Sequence, residues 1–388
     1  MAQKKWTLID HAKNVQVEDL VIKPSDVGGS AKGYSVTVRT LRSGLSEGVM
    51  VVHIDNGVLS FDVLPTRGMG IWKAWIGGEE LGWQSPVRGP VHPKFVPLGE
   101  PSGLGWLDGF DELLVRCGLE SNGAPEFDDC GRLKYSLHGR IANRPAHQCE
   151  LSIDGESGEL TVTGTVEESR FHFSKLRLTS SVTTKNGHTG FQVHDEVQNF
   201  SQSPGEAQLL YHINFGRPLL DAGARLVAPV KTVVPRNARA VEGISSWDSF
   251  AAEQEGFAEQ VYFFEMISGQ RDETQVLLKN AHGTRGVSLT YNNKQLPRFT
   301  LWKDTAAAAD GYVTGLEPGT NFPNPRSFEG EKGRVVKLSA GEKTNFDLAL
   351  NFHNSAADVE KTEKAIAKLR QGNAPKIHNQ PQPDWCAP

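Results

Sequence analysis

The sequence predicts an all-β fold: one large antiparallel β domain with a single peripheral helix near the C-terminus. Three observations point there. Apolar and polar residues alternate with period two over most of the chain, the alternating runs are separated by Asn and Gly turn residues, and helical periodicity is scarce before residue 354. Successive side chains on a strand point to opposite faces, so this alternation marks strands with one buried face.

In VVHIDNGVLSFDVLP the pair Asn56-Gly57 separates two such runs, with Leu59, Phe61 and Val63 on one face and Ser60 and Asp62 on the other. That pattern predicts a hairpin, because Asn and Gly tolerate the left-handed backbone of a tight turn. Further hairpins are expected in CELSIDGESGELTVTG, around Asn186-Gly187 in KLRLTSSVTTKNGHTGFQVHDEVQNF, and around Asn292-Asn293 in VSLTYNNKQLPRFTLWK. Phe346, Leu348, Leu350 and Phe352 alternate as a late strand. NSAADVEKTEKAIAKLRQG then reads as a helix, with Asn354 or Ser355 as N-cap, acids early, bases late and Gly372 as the stop. The proline-rich tail NAPKIHNQPQPDWCAP is expected to run as an extended arm over the surface. With no internal repeat and no linker-like shift in composition, a single domain is the simplest architecture.

Composition excludes several function classes. At 388 residues, with 38% hydrophobic and 22% charged content, the chain suits a globular protein with a substantial core, and disorder is expected only at the ends. The net charge of -5 is spread along the chain with no basic block, which argues against nucleic acid. The opening MAQKKWTLIDHAKN lacks the apolar run of a secretory signal, and no segment approaches ~18 apolar residues, so a cytoplasmic protein without membrane contact is expected. Cys117, Cys130, Cys149 and Cys386 match no CxxC or zinc spacing and are expected as buried thiols.

Polar residues break the alternation at three places: His138 and Arg140 in YSLHGRIANRPA, His212 and Asn214 on one face of LLYHINFGRPLL, and Glu317 before Pro318 in GYVTGLEPGTNFPNP. Each has a structural explanation by itself: a bulge at His138, a buried neutral imidazole at His212, a solvated turn at Glu317. Together, two histidines and a carboxylate on separate β elements fit acid–base chemistry on a neutral substrate, with one base, one acid and a second donor.

LYHINFGRP, followed about a hundred residues later by LWKDTAAAADGYVTGLEPGTNFPNP, resembles the aldose 1-epimerase (galactose mutarotase) superfamily, most closely its bacterial aldose-epimerase-like branch. VLPTRGMGIWKAWIGGEELGWQSP, GFDELLVRCGLESNGAP and LHGRIANRPA extend the resemblance over residues 45 to about 350. It implies a large antiparallel β supersandwich with a sugar site in a concave cleft. The chain then divides into an N-terminal extension (1–44) packing on the sandwich, the sandwich itself (45–353), and a C-terminal helix and tail (354–388). By the same resemblance Glu317 is the general base, His212 the general acid, and His138 a sugar ligand assisting at the ring oxygen. Arg67 or Arg116 contacts sugar hydroxyls. Arg140, Asn214 and Trp302 are further candidate substrate contacts, and Trp72, Trp83, Trp106, Tyr211 and Phe322 are other aromatic faces available for stacking. Galactose mutarotases also carry an aspartate between the second histidine and the glutamate, which no motif around Asp221, Asp248 or Asp304 places here.

The implied activity is a cofactor-independent epimerase that interconverts sugar anomers. The base removes the proton of the C1 hydroxyl and the acid protonates the ring oxygen, from opposite sides; no redox cofactor or metal is called for. A carbohydrate-binding protein without turnover, and a lyase or other acid–base enzyme on an acidic or oxidised sugar, are the alternatives. The expected partner is a small-molecule carbohydrate; a homo-oligomer is left open.

Overall fold

The computed structural model describes residues 3–388, and within these two large, almost wholly antiparallel sheets of ten and fourteen strands are stacked face to face. Three of the predicted hairpins form: Met50–Asp55 with Leu59–Leu64, Gln148–Asp154 with Glu159–Ser169, and Lys175–Lys185 with Gly190–Asn199. Gly57, at φ +91°, takes the left-handed position that the Asn56-Gly57 turn requires.

The fourth expected hairpin does not form. Gly286–Asn292 pairs with Glu273–Lys279 and Lys343–His353 in the smaller sheet, whereas Arg298–Asp304 pairs with Gln260–Met266 and Val313–Gly319 in the larger. A turn is present, with Asn292 Oδ1 accepting from the amides of Lys294 and Gln295. It drives Leu296 into the core between the sheets and so passes the chain from one layer to the other.

Residues near the N-terminus contribute to both layers. Gln3–Asp10 pairs with Gln148–Asp154 in the smaller sheet, and Asp19–Ile22 and Ser35–Thr40 extend the edge of the larger. Helix Ala356–Arg370 starts at Ser355, whose Oγ accepts from the Asp358 amide, and gives way at Gln371 in the left-handed region just before Gly372. It lays Val359 and Ile366 on Leu277 of the smaller sheet. The tail adds Lys376–Ile377 to the edge of the larger sheet, and its end is more than a surface arm: Trp385 stacks on Phe322 at 4.9 Å and Cys386 is buried. Cys117 and Cys149 are buried as expected, but Cys130 is exposed in the loop that follows Asp128. Among the described residues no helix is long and apolar enough to cross a membrane.

The strand Gly205–Phe215 sits in the middle of the larger sheet between Leu114–Leu119 and Val313–Gly319. Leu209, Tyr211 and Ile213 join the core between the sheets, while Leu210 packs on the opposite face among Trp83, Trp106 and Phe110. Period two therefore turns His212 and Asn214 to this outer face, beneath the loops that carry those aromatics.

Candidate active site

His212 and Glu317 come from neighbouring antiparallel strands. The register that pairs Leu210 with Gly319 and Ile213 with Leu316 sets His212 directly across from Glu317, and such cross-strand neighbours on one face touch. Nε2 of His212 lies 3.2 Å from Oε1 of Glu317. The approach is close but not aligned as a hydrogen bond, a looseness common in catalytic contacts before a substrate is in place. The two side chains thus stand side by side, whereas the expected chemistry had an acid and a base on opposite sides. Gly315 makes room for them: a Cβ there would lie 2.6 Å from Glu317 Oε1 and 2.9 Å from His212 Cε1.

Asn214 fixes the imidazole. Its Nδ2 donates to the Glu112 carbonyl at 3.0 Å, so its Oδ1 is the atom that meets His212 Nδ1 at 2.7 Å. Nδ1 must then carry a hydrogen, which leaves Nε2 turned toward Glu317. Burial lowers the His212 pKa to about 3, with His138 adding to the effect and the Asn214 bond opposing it. Burial likewise raises the Glu317 carboxyl well above the usual range, helped by Glu259 and opposed by Arg236. The two shifts point the same way: burial favours a pair that shares one proton without full charges over a separated carboxylate and imidazolium.

His138 is held by its backbone. It lies at φ +56°, followed by Gly139 at φ +72°, where a Cβ would sit 2.0 Å from the Ser121 carbonyl oxygen. Its Nδ1 is 2.9 Å from the Asn122 carbonyl, which can only accept, so Nε2 keeps a free lone pair. Burial lowers its pKa to about 4, against the Asn122 bond and with a contribution from Arg236, so the ring is neutral near pH 7. In that state Nε2 offers a lone pair to a donor and has no hydrogen to give to an acceptor. Trp106 packs on His138 with ring centroids 4.6 Å apart, and Phe110 and Trp302 on His212 at 5.1 and 5.4 Å, a collar that shields buried His212 from water while His138 stays partly exposed.

These groups line a cleft of about 300 Å³. Of the other expected substrate contacts, Arg67, Arg116, Arg140, Asn214 and Trp302, only Trp302 lines it beside His138. Arg67 is buried elsewhere, bonded to Glu112, Asn143 and the carbonyls of Val91 and Gly109, so it braces the loop bearing Trp106 and Phe110 and does not line the cleft. Arg116 lies across from Tyr211 on the inner face of the sheet and binds Asp195, Ser180 and the Met69 carbonyl. Arg140 pairs with Glu120 and Glu168 in a neighbouring depression. Asn214 lies behind His212 and does not line the cleft. Among the aromatics, Trp106 lines the cleft beside Trp302, whereas Trp72, Trp83, Tyr211 and Phe322 pack in apolar clusters.

Sequence reasoning missed Phe110, Thr300, Arg236 and Glu259, which also line the cleft. Thr300 was within reach, since it shares the face of Trp302 two residues away. Arg236 and Glu259 sit just outside the ends of their strands, where alternation gives no direction. Glu259 is the acidic residue between His212 and Glu317 that reaches the cleft; Asp221, Asp248 and Asp304 do not line it.

Two stacked antiparallel sheets with a loop-covered cleft on the outer face of the larger one form the galactose mutarotase-like sandwich. The chain belongs to the family described as a domain of unknown function, DUF4432, whose family model matches residues 46–352. It is 32% identical to a Klebsiella pneumoniae protein provisionally named an aldose 1-epimerase, over 98% of this chain and 99% of that one, with a TM-score of 0.94. A galactose mutarotase-like protein from Clostridium acetobutylicum (14% identity, 81% and 97% of the two chains, TM-score 0.54) shares the fold. So does a galactose 1-epimerase from Lactobacillus acidophilus (13%, 82% and 99%, TM-score 0.53). No curated protein matches the chain.

Proposed function

We propose that the protein is a cofactor-independent epimerase that interconverts the anomers of a sugar or sugar derivative by acid–base ring opening. The observation that carries this reading is the buried His212–Glu317 pair, 3.2 Å apart on adjacent strands. The anomeric hydroxyl and the ring oxygen are bonded to the same carbon, so an acid and a base that serve them must be neighbours.

With the shared proton on His212, the Glu317 carboxylate takes the hydrogen of the C1 hydroxyl. The C1–ring oxygen bond breaks as the C1 carbonyl forms, and Nε2 of His212 delivers its proton to the departing ring oxygen. The open chain rotates about C1–C2 and closes on the other face by the reverse transfers, returning one proton to the pair. The ring-opened stage leaves Glu317 protonated and His212 neutral, the distribution that burial favours. Nε2 of neutral His138 accepts from a neighbouring hydroxyl and orients the ring.

General acid–base catalysis contributes typically ~10²- to 10⁴-fold per group. Glu317→Gln should therefore lower the rate at which a freshly dissolved pure anomer equilibrates by about that factor, followed by polarimetry or saturation-transfer NMR over aldoses, ketoses, uronates and sugar phosphates. An unchanged rate on a sugar that the wild-type protein accelerates would falsify the assignment.

A further inference from the structure

Resting on the epimerase reading of the cleft, we propose that Arg236 and Glu259 are its specificity-determining residues, and that they select an uncharged sugar through neighbouring hydroxyls distant from the reacting carbon. Both line the cleft with His212 and Glu317. Along the sheet the order runs from Gly205–Phe215 through Val313–Gly319, Arg298–Asp304 and Gln260–Met266 to Val230–Pro235, which Arg236 directly follows. Arg236 thus follows a strand four places along the sheet from that of His212, so we assign it to substituents of a bound ring away from the reacting carbon.

Its hydrogen-bonding state separates it from Arg67, Arg116 and Arg140. Those guanidiniums are committed to carboxylates and carbonyls. Among the described residues the guanidinium of Arg236 makes only an ion pair with Glu259, at 3.6 Å and too long for a hydrogen bond. Glu259 in turn accepts from Trp302 Nε1 at 2.7 Å through Oε2, leaving Oε1 open toward Arg236. The pair therefore presents free donors and a free acceptor beside an aromatic face. Hydroxyls both donate and accept, so two adjacent hydroxyls satisfy both partners at once.

Charge decides between a neutral and an anionic sugar. With both histidines neutral near pH 7, Arg236 is the sole full cation among the described residues lining the cleft. A carboxylate or phosphate seeking it would come up against Glu259. Elsewhere the wall is carbon from Leu104, Leu107, Pro125, Leu137 and Pro323, which offers an anion nothing.

The test measures binding by calorimetry or ligand-observed NMR in the Glu317→Gln background, so it is independent of turnover. The probes are glucose, glucuronate and glucose 6-phosphate, with the matching galactose set. At least one neutral hexose should bind more tightly than its anionic counterparts. Arg236→Met should weaken that hexose by about tenfold or more, as expected for lost hydrogen bonds to a charged group. Glu259→Gln, which leaves Arg236 uncompensated, should shift the preference toward glucuronate or galacturonate by about tenfold. The proposal is overturned if an anionic sugar binds better than both neutral hexoses, if no neutral hexose binds, or if Arg236→Met leaves affinity unchanged. Failure of the epimerase reading shows separately, as no acceleration of anomer exchange by wild-type protein for a sugar that binds.

Discussion

Asn214 does not line the cleft, yet it determines which nitrogen of His212 faces Glu317. Its amide is oriented by the Glu112 carbonyl, and Glu112 is gripped by Arg67, so a chain of contacts runs from a buried ion pair to the reacting proton. Asn214→Asp tests it. A carboxylate at Nδ1 stabilises the imidazolium and raises the His212 pKa from its value of about 3. Under the proposed mechanism, a second proton on the His–Glu pair in acid removes the base, and loss of the shared proton in alkali removes the acid. The acid limb of the kcat/KM profile should therefore move upward by roughly one to two pH units in Asn214→Asp, toward neutrality. A limb that stays put would mean that Asn214 does not tune the pair. At this scale the sequence was informative where residue type and strand parity agreed, as for His212 and Asn214 on one face of a strand. It misled where an arginine's chemistry suggested a ligand. Arg116 alternates with Val115 and Cys117 in a strand buried on both faces, so nothing in the pattern tells which face meets the core.

The strand pair Gly205–Phe215 and Val313–Gly319 is what turns two side chains into a site. A one-residue slip would send either His212 or Glu317 to the inner face, so the register itself is functional. Gly315 is its most sensitive point, because the space above its Cα is filled by the carboxyl of Glu317 and the ring of His212. Gly315→Ala must push one of them aside. The backbone there is extended, so alanine fits the strand, and the cost falls on geometry at the site. A displacement near 1 Å is enough to lower the rate by ~10²-fold. Melting temperature and circular dichroism should stay near wild type while anomer exchange falls; equal losses of both would instead make Gly315 a folding residue. The hairpin signals were legible for a related reason, since Asn-Gly turns act locally. The Asn292-Asn293 turn shows the limit: local chemistry specifies a reversal, but buried Leu296 decides that the chain crosses to the other sheet.

For the whole molecule, the question is what holds the cleft-bearing sheet to its partner. Apolar packing supplies most of the attraction, but polar contacts also cross the interface, among them a network in which Arg116 on the larger sheet binds Asp195 and Ser180 on the smaller and Tyr211 donates to the same Asp195. Both members of the ion pair are fully buried. Removing one member leaves the other charge without compensation, so Asp195→Ala should destabilise the fold by about 3–5 kcal/mol in chemical denaturation. Replacing the whole network with apolar groups of similar size (Arg116→Met, Asp195→Leu and Tyr211→Phe together) should recover most of that loss, because buried ion pairs often only balance their desolvation. Arg116 lies on the face of the larger sheet opposite His212 and Asp195 on the sheet packed against that face, so whatever fraction of each variant is folded should retain its rate of anomer exchange. Had Arg116 been the sugar ligand that the sequence suggested, the triple variant would lose substrate affinity while regaining stability. Measuring KM and unfolding free energy on the same three proteins separates the two roles, and an Asp195→Ala variant as stable as wild type would remove the network from the account of how the sheets are joined.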